Sequence, residues 1–135
     1  MKKTMNAVLT LLLLGAIAVG VNAAKEQESI MTKEADGTYV VNTTSLCKDV
    51  KGYRSTTPLT IHIKNGKVVK IEALRNQETP KYFTRVKKEL LSSWDGVKVN
   101  KAIKMNPDAV TGATMSSDAV KENVKRGLQY YESNK

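Results

Sequence analysis

A chain of 135 residues has room for one domain, and its one cysteine, Cys47, rules out an internal disulfide, so the core must hold by packing alone. Lys and Arg number 22 against 13 Asp and Glu, and the net charge of +9 favours lipid head groups, phosphate ligands or other acidic partners. Nucleic acid is set aside, because the lysines are dispersed with no RNA-binding aromatic motif among them.

Residues 1–23 read as a secretory signal peptide. Lys2 and Lys3 precede an apolar run from Ala7 to Val21, and Val21-Asn22-Ala23 fits the small-x-small rule for cleavage after Ala23. The alternative is a retained N-terminal membrane anchor, for which the run is short against the roughly 20 residues of a span. Cleavage removes two positive charges, leaves residues 24–135 and places the domain outside the cytoplasm, in the periplasm or cell envelope. Residues 24–36 are polar and read as a flexible lead-in. The folded domain is expected over 37–135.

Tyr39, Val40 and Val41 predict a first strand, whereas residues 45–58 are rich in turn formers and carry no clear period. Cys47, within them, reads as a half-buried structural thiol. Leu59, Ile61 and Ile63 then alternate with Thr60, His62 and Lys64, and after Asn65-Gly66 the residues Val69, Ile71 and Ala73 alternate with Lys70 and Glu72. Two-residue periods on both sides of Asn-Gly predict a β-hairpin. His62, the one histidine, stands on the polar face with no companion at a metal-ligand spacing, and reads as a surface residue.

Pro80 suits the first turn of a helix, and Thr79 before it suits the N-cap. Phe83, Val86 and Leu90 recur at helical spacing, Leu91 and Trp94 extend the apolar side, and Asp95-Gly96 ends it. Residues 97–103 read as a short strand or extended link. The last helix is marked by Val120, Val124, Leu128 and Tyr131. Strands followed by helices predict an α+β fold, a small antiparallel sheet packed by two or three helices.

Two stretches carry candidate chemistry. In Asp108-Ala-Val-Thr-Gly-Ala-Thr114-Met-Ser-Ser117, hydroxyls crowd a glycine just ahead of the last helix. A helix start exposes unpaired N–H groups that attract anions, phosphate above all, and Gly112 and Ala113 leave room for a ligand to approach. Ser116 or Ser117 also fits as an ordinary helix cap, with Asp118 in the first turn. The lysine and glycine spacing of a P-loop are absent. The second stretch, residues 73–82, gathers Asn76, Gln77, Glu78 and Thr79 where a strand gives way to a helix, a usual place for a ligand's edge.

Together these stretches resemble the bacterial FMN-binding domain family, which also supplies the flavin-carrying subunits of sodium-pumping NADH:quinone oxidoreductase and Rnf-type complexes. Residues 108–114 match its flavinylation motif, Asp-x-x-(Ser/Thr)-Gly-Ala-Thr, and Gly52-Tyr53, Pro58-Leu59, Asn65-Gly66-Lys67 and Glu78-Thr79-Pro80 fall in the family's order. Where many members read Gly-Tyr-x-Gly-Pro-Leu, this chain reads Gly-Tyr-Arg-Ser-Thr-Thr-Pro-Leu. The resemblance implies covalent FMN on Thr114 through a phosphoester, made outside the cytoplasm by a separate flavin transferase that uses FAD and recognises Asp108. It implies that Thr111, Gly112, Ala113 and Ser117 stand by the phosphate, and that Leu74, Asn76, Glu78 and Thr79 line the isoalloxazine ring, with Tyr82 at its border. It further implies electron relay between envelope redox partners, for which the positive charge suits docking to acidic proteins or the membrane surface. Two other readings fit the same residues: a small extracytoplasmic flavin-dependent reductase, and a non-redox module that binds a partner or lipid.

Overall fold

A computed structural model describes residues 29–135. The expected signal peptide over 1–23 lies outside the described residues, and among those described no helix is long and apolar enough to cross a membrane. Four strands are formed: β1 (Met31–Lys33), β2 (Tyr39–Asn42), β3 (Leu59–Lys64) and β4 (Lys67–Ala73). They pair in that order as one antiparallel sheet. With the helices this is an α+β fold.

Within the lead-in expected over 24–36, residues 31–33 form a strand that their composition did not imply. Met31, Thr32 and Lys33 pair with Val41, Val40 and Tyr39. A turn closed by the Thr38 amide donating to Asp36 Oδ1 at 2.9 Å joins the two strands. A polar edge strand needs only main-chain pairing, so side-chain pattern hides it.

Between β3 and β4 stand Asn65 and Gly66, with φ of 53° and 74°. Ile61 pairs with Ile71, but His62 pairs with Lys70 and Ile63 with Val68, so Val69 is an extra residue in a β-bulge. The bulge reverses the faces beyond it: Val68 is fully buried and Val69 exposed, not the reverse that unbroken alternation implies. On the outer face His62 is more covered than a free surface histidine. Its side chain is 17% exposed, with Nε2 3.3 Å from Glu72 Oε1.

Helix α1 (Pro80–Glu89) buries Phe83 and Val86. The chain then tightens into a 3-10 turn at Leu91–Trp94, where Leu91 and Trp94 are buried against β4. Segment 96–99 runs beside β4: the Gly96 amide donates to the Val68 carbonyl at 2.7 Å, and the Val68 amide to the Val97 carbonyl at 2.9 Å. Only this beginning of 97–103 is extended; Val99–Ala102 forms a single helical turn, α2, which buries Val99 and Ala102.

Helix α3 (Thr114–Asn134) lies across the sheet with Val120, Val124, Leu128 and Tyr131 turned inward. Tyr131 meets Tyr39 edge-to-face, with ring centroids 5.3 Å apart. Gly127 permits the close approach: a Cβ there would stand 2.5 Å from Ile61 Cδ1 and 3.0 Å from Thr43 Cγ2. Buried Asn123 accepts a hydrogen bond from the Thr43 hydroxyl and donates to the Ala119 carbonyl, so the polar group under the helix is satisfied. Arg126 reaches across to Asp49 at 2.8 Å and donates to the Leu46 carbonyl at 3.0 Å, pinning the 44–50 turn over Cys47. Cys47 is 3% exposed, and burial pushes its thiol pKa up to about 11.

Candidate functional site

The turn into α3 is the centre of the site. Gly112 has φ of 82°, a backbone conformation that side chains disfavour, and Ala113 follows as the N-cap residue. No side chain caps the helix. The helix begins at Thr114, so Ser116 and Ser117 lie inside its first turn and Asp118 beyond it; none of the three is a cap. The first intrahelical bond runs from the Ser117 amide to the Ala113 carbonyl, at 2.9 Å. The amides of Thr114, Met115 and Ser116 therefore have no intrahelical acceptor, and they form the positive end of a 21-residue helix.

The two serines hold the turn in place. Ser117 Oγ accepts from the Val110 amide at 3.0 Å, from a fully buried position. Ser116 donates its hydroxyl to Glu78 Oε1. Glu78 itself is the hub of the second stretch. The amide of Tyr53 donates to Oε1 at 2.9 Å, and those of Arg54 and Ser55 to Oε2 at 2.6 and 2.7 Å. Burial alone would raise its pKa, but the bonds from Ser116, Arg54, Ser55 and Tyr53 outweigh it and hold the carboxyl below its ordinary value. The 52–55 turn reaches Glu78 because residue 52 is glycine: a Cβ there would fall 2.5 Å from Glu78 Oε1 and 3.1 Å from Ser116 Cα.

These contacts frame a cleft of about 460 Å³, within the roughly 300–1,000 Å³ of small-molecule sites. Tyr53 forms one side, Thr79 and Tyr82 come from the start of α1, and residues 112–116 close the third. Three of its side chains are large and exposed: Tyr53 at 68%, Tyr82 at 41% and Met115 at 57%. Thr114 is also exposed.

Of the site residues singled out in the sequence, Thr79, Tyr82, Gly112, Ala113 and Thr114 meet in this cleft. Thr111 is exposed on the turn, and its carbonyl accepts from Arg85 at 2.8 Å. Thr79 precedes α1 without capping it through its side chain. Leu74, Asn76 and Glu78 border a neighbouring hollow of about 330 Å³. There Asn76 is turned on its own backbone, its Oδ1 accepting from the Glu78 amide at 2.9 Å. Asp108 is exposed upstream of the turn. Sequence reasoning did not single out Ser116's bond to Glu78, Tyr53 as a wall of the cleft, or Arg85. For Arg85 the available signal is its place three residues after Tyr82, on the same side of α1. Among the described residues no group of His, Cys, Asp and Glu is arranged to hold a metal.

No curated protein and no solved structure matches the chain. One protein family does, the FMN-binding domain, over residues 52–129, a span that runs from the glycine under Glu78 into the buried turns of α3 and takes in all three sides of the cleft. Since that is more than half of the sequence, the chain belongs to the FMN-binding domain family.

Proposed function

We propose that this protein carries FMN in phosphoester linkage to Thr114 and relays electrons between redox partners of the cell envelope. The observation that carries the reading is the exposed Thr114 as first residue of an uncapped helix, opening on a cleft of about 460 Å³. The residues present fit the cofactor. A phosphate beside Thr114 would meet the amides of Thr114, Met115 and Ser116, a ready anion site. Tyr53, Tyr82 and Met115 offer flat and polarizable walls for a ring system. Glu78, with its lone pairs engaged by the 52–55 turn and Ser116, acts by shaping the cleft wall.

When bound, FMN supplies one- and two-electron chemistry; this chain attaches and orients it. The cleft is walled by phenols, hydroxyls, a thioether and backbone, which suits holding a ring at the surface, open to partners, more than protonating a substrate. The one reacting group this protein supplies to attachment is the Thr114 hydroxyl, so a flavin transferase using FAD is its maturation partner, with Asp108 as a recognition residue. Leader-like residues 1–23 support export to the compartment where that attachment is made.

Co-expression of the full chain with a flavin transferase, followed by intact mass, tests the assignment. The wild type should gain the mass of one FMN less water, and Thr114→Ala should gain none while keeping its circular dichroism spectrum. In-gel flavin fluorescence retained by Thr114→Ala would overturn the choice of acceptor.

A further inference from the structure

Arg85 belongs to α1, yet its Nη1 donates to the Thr111 carbonyl at 2.8 Å. Its Nε bonds Glu89 Oε2 at 3.3 Å, one turn on. A guanidinium has five N–H groups, so most of this fork is unpaired among the described residues. A Cβ on Gly112 would stand 3.8 Å from Nη1, at ordinary van der Waals contact, so the cation rests directly beside the turn. The other side-chain ties on residues 104–113 come from α3: Ser117 on the Val110 amide, and Lys121 on Asn106 Oδ1 and the Pro107 carbonyl. Ser116 ties the start of α3 to Glu78, just ahead of α1, and Arg85 adds a side-chain hydrogen bond from within α1, which carries Tyr82, to the turn that leads into Thr114.

We propose that Arg85 is the positioning residue for attachment at Thr114, an inference that rests on the reading above. It clamps the Thr111–Gly112 turn to α1, which fixes the separation of two cleft walls. It also places a permanent positive charge beside the uncapped helix start, so an incoming phosphate is met by amides and a guanidinium together. In the step it serves, a bond forms between Thr114 Oγ1 and the phosphorus on the FMN side of FAD. The phosphoanhydride breaks, AMP leaves, and the hydroxyl proton passes to a base of the transferase. No electrons are transferred.

The test compares modification rates of the wild type, Arg85→Ala, Arg85→Lys and Arg85→Gln with a flavin transferase and FAD, read by intact mass at early times. Losing a charge-assisted contact should slow Arg85→Ala about tenfold or more. Arg85→Lys keeps the charge and should recover part of the rate. Arg85→Gln can still donate to the Thr111 carbonyl but is neutral, and should stay nearly as slow as alanine. A second measurement uses the unmodified chain: inorganic phosphate should shift the amide resonances of Thr114, Met115 and Ser116 in the wild type and Arg85→Lys, and several-fold less in Arg85→Gln. Arg85→Ala modified as fast as the wild type overturns this inference alone. A wild type that never gains FMN removes the Thr114 reading and this inference together. Equal rates for Arg85→Gln and the wild type would reduce Arg85 to a neutral clamp and overturn the charge role.

Discussion

Glu78 shows how one side chain can organise a site it does not enter. Three consecutive amides and the Ser116 hydroxyl converge on its carboxylate, which joins the 52–55 turn, the start of α1 and the first turn of α3. Glu78→Gln has nearly the same shape, but its NH2 group would face donors. It should therefore cost about 1–3 kcal/mol, measured by urea unfolding at neutral pH. The pH dependence has a definite sign. The folded-state pKa is depressed, so the contribution is present above the ordinary carboxylate range, near 4.3, and is lost as pH falls through the lower folded value. The wild type should lose stability below that range, and Glu78→Gln should lose less over the same interval. Parallel pH profiles for the two proteins would show that Glu78 is not the group responsible. None of this geometry is local: Ser116 and Glu78 are 38 positions apart, and a sequence pattern has no access to such a pair.

Elements whose signals are local were legible, and those set by neighbours were not. The inward set Leu59, Ile61 and Ile63 follows from a two-residue period, and the α3 stripe from a helical one. The bulge at Val69 escaped because one inserted residue leaves composition unchanged while exchanging the faces beyond it. The N-terminus of α3 was misplaced for a chemical reason. Serine before an apolar stripe ordinarily caps, but Ser116 and Ser117 are engaged by Glu78 and Val110, so the helix starts earlier and its end is left bare. The Thr111–Thr114 run was legible as a candidate anion site because its glycine, hydroxyls and helix start are contiguous; Tyr53 and Arg85 are brought to it only by the fold. The packing of α3 on β3 can be tested at Gly127. Alanine there would gain about 1 kcal/mol of helix propensity, but it drives a methyl group into Ile61 and Thr43, which are both fully buried. Overpacking of this kind costs about 1–3 kcal/mol. Gly127→Ala should therefore lower the thermal midpoint, by roughly 4–8 °C for each net kcal/mol. A midpoint at or above that of the wild type would mean that α3 can shift outward freely.

Charge acts through the molecule as a whole. Among the described residues of this +9 chain most cations are exposed, and Arg54, Lys81 and Arg85 stand on the elements that wall the cleft. Such a field accelerates encounter with acidic molecules and is screened beyond about 10 Å at 0.1 M salt. Under the proposed relay, stopped-flow transfer from the flavinylated protein to an acidic protein acceptor should slow as salt rises from 10 to about 300 mM, while transfer to an uncharged small acceptor stays flat. Salt-independent rates with the acidic acceptor would remove charge from the docking step. Under the proposed export, the pinned turn over Cys47 has a further bearing, because unpaired sulfur outside the cytoplasm is prone to cross-linking. The thiolate is the reactive form, and burial pushes the thiol pKa up to about 11, so it is a minor species at neutral pH, beneath a lid of folded chain. An oxidising milieu therefore finds no accessible sulfhydryl on the folded protein, and the native chain resists dimerisation through sulfur without needing a second cysteine as a mate.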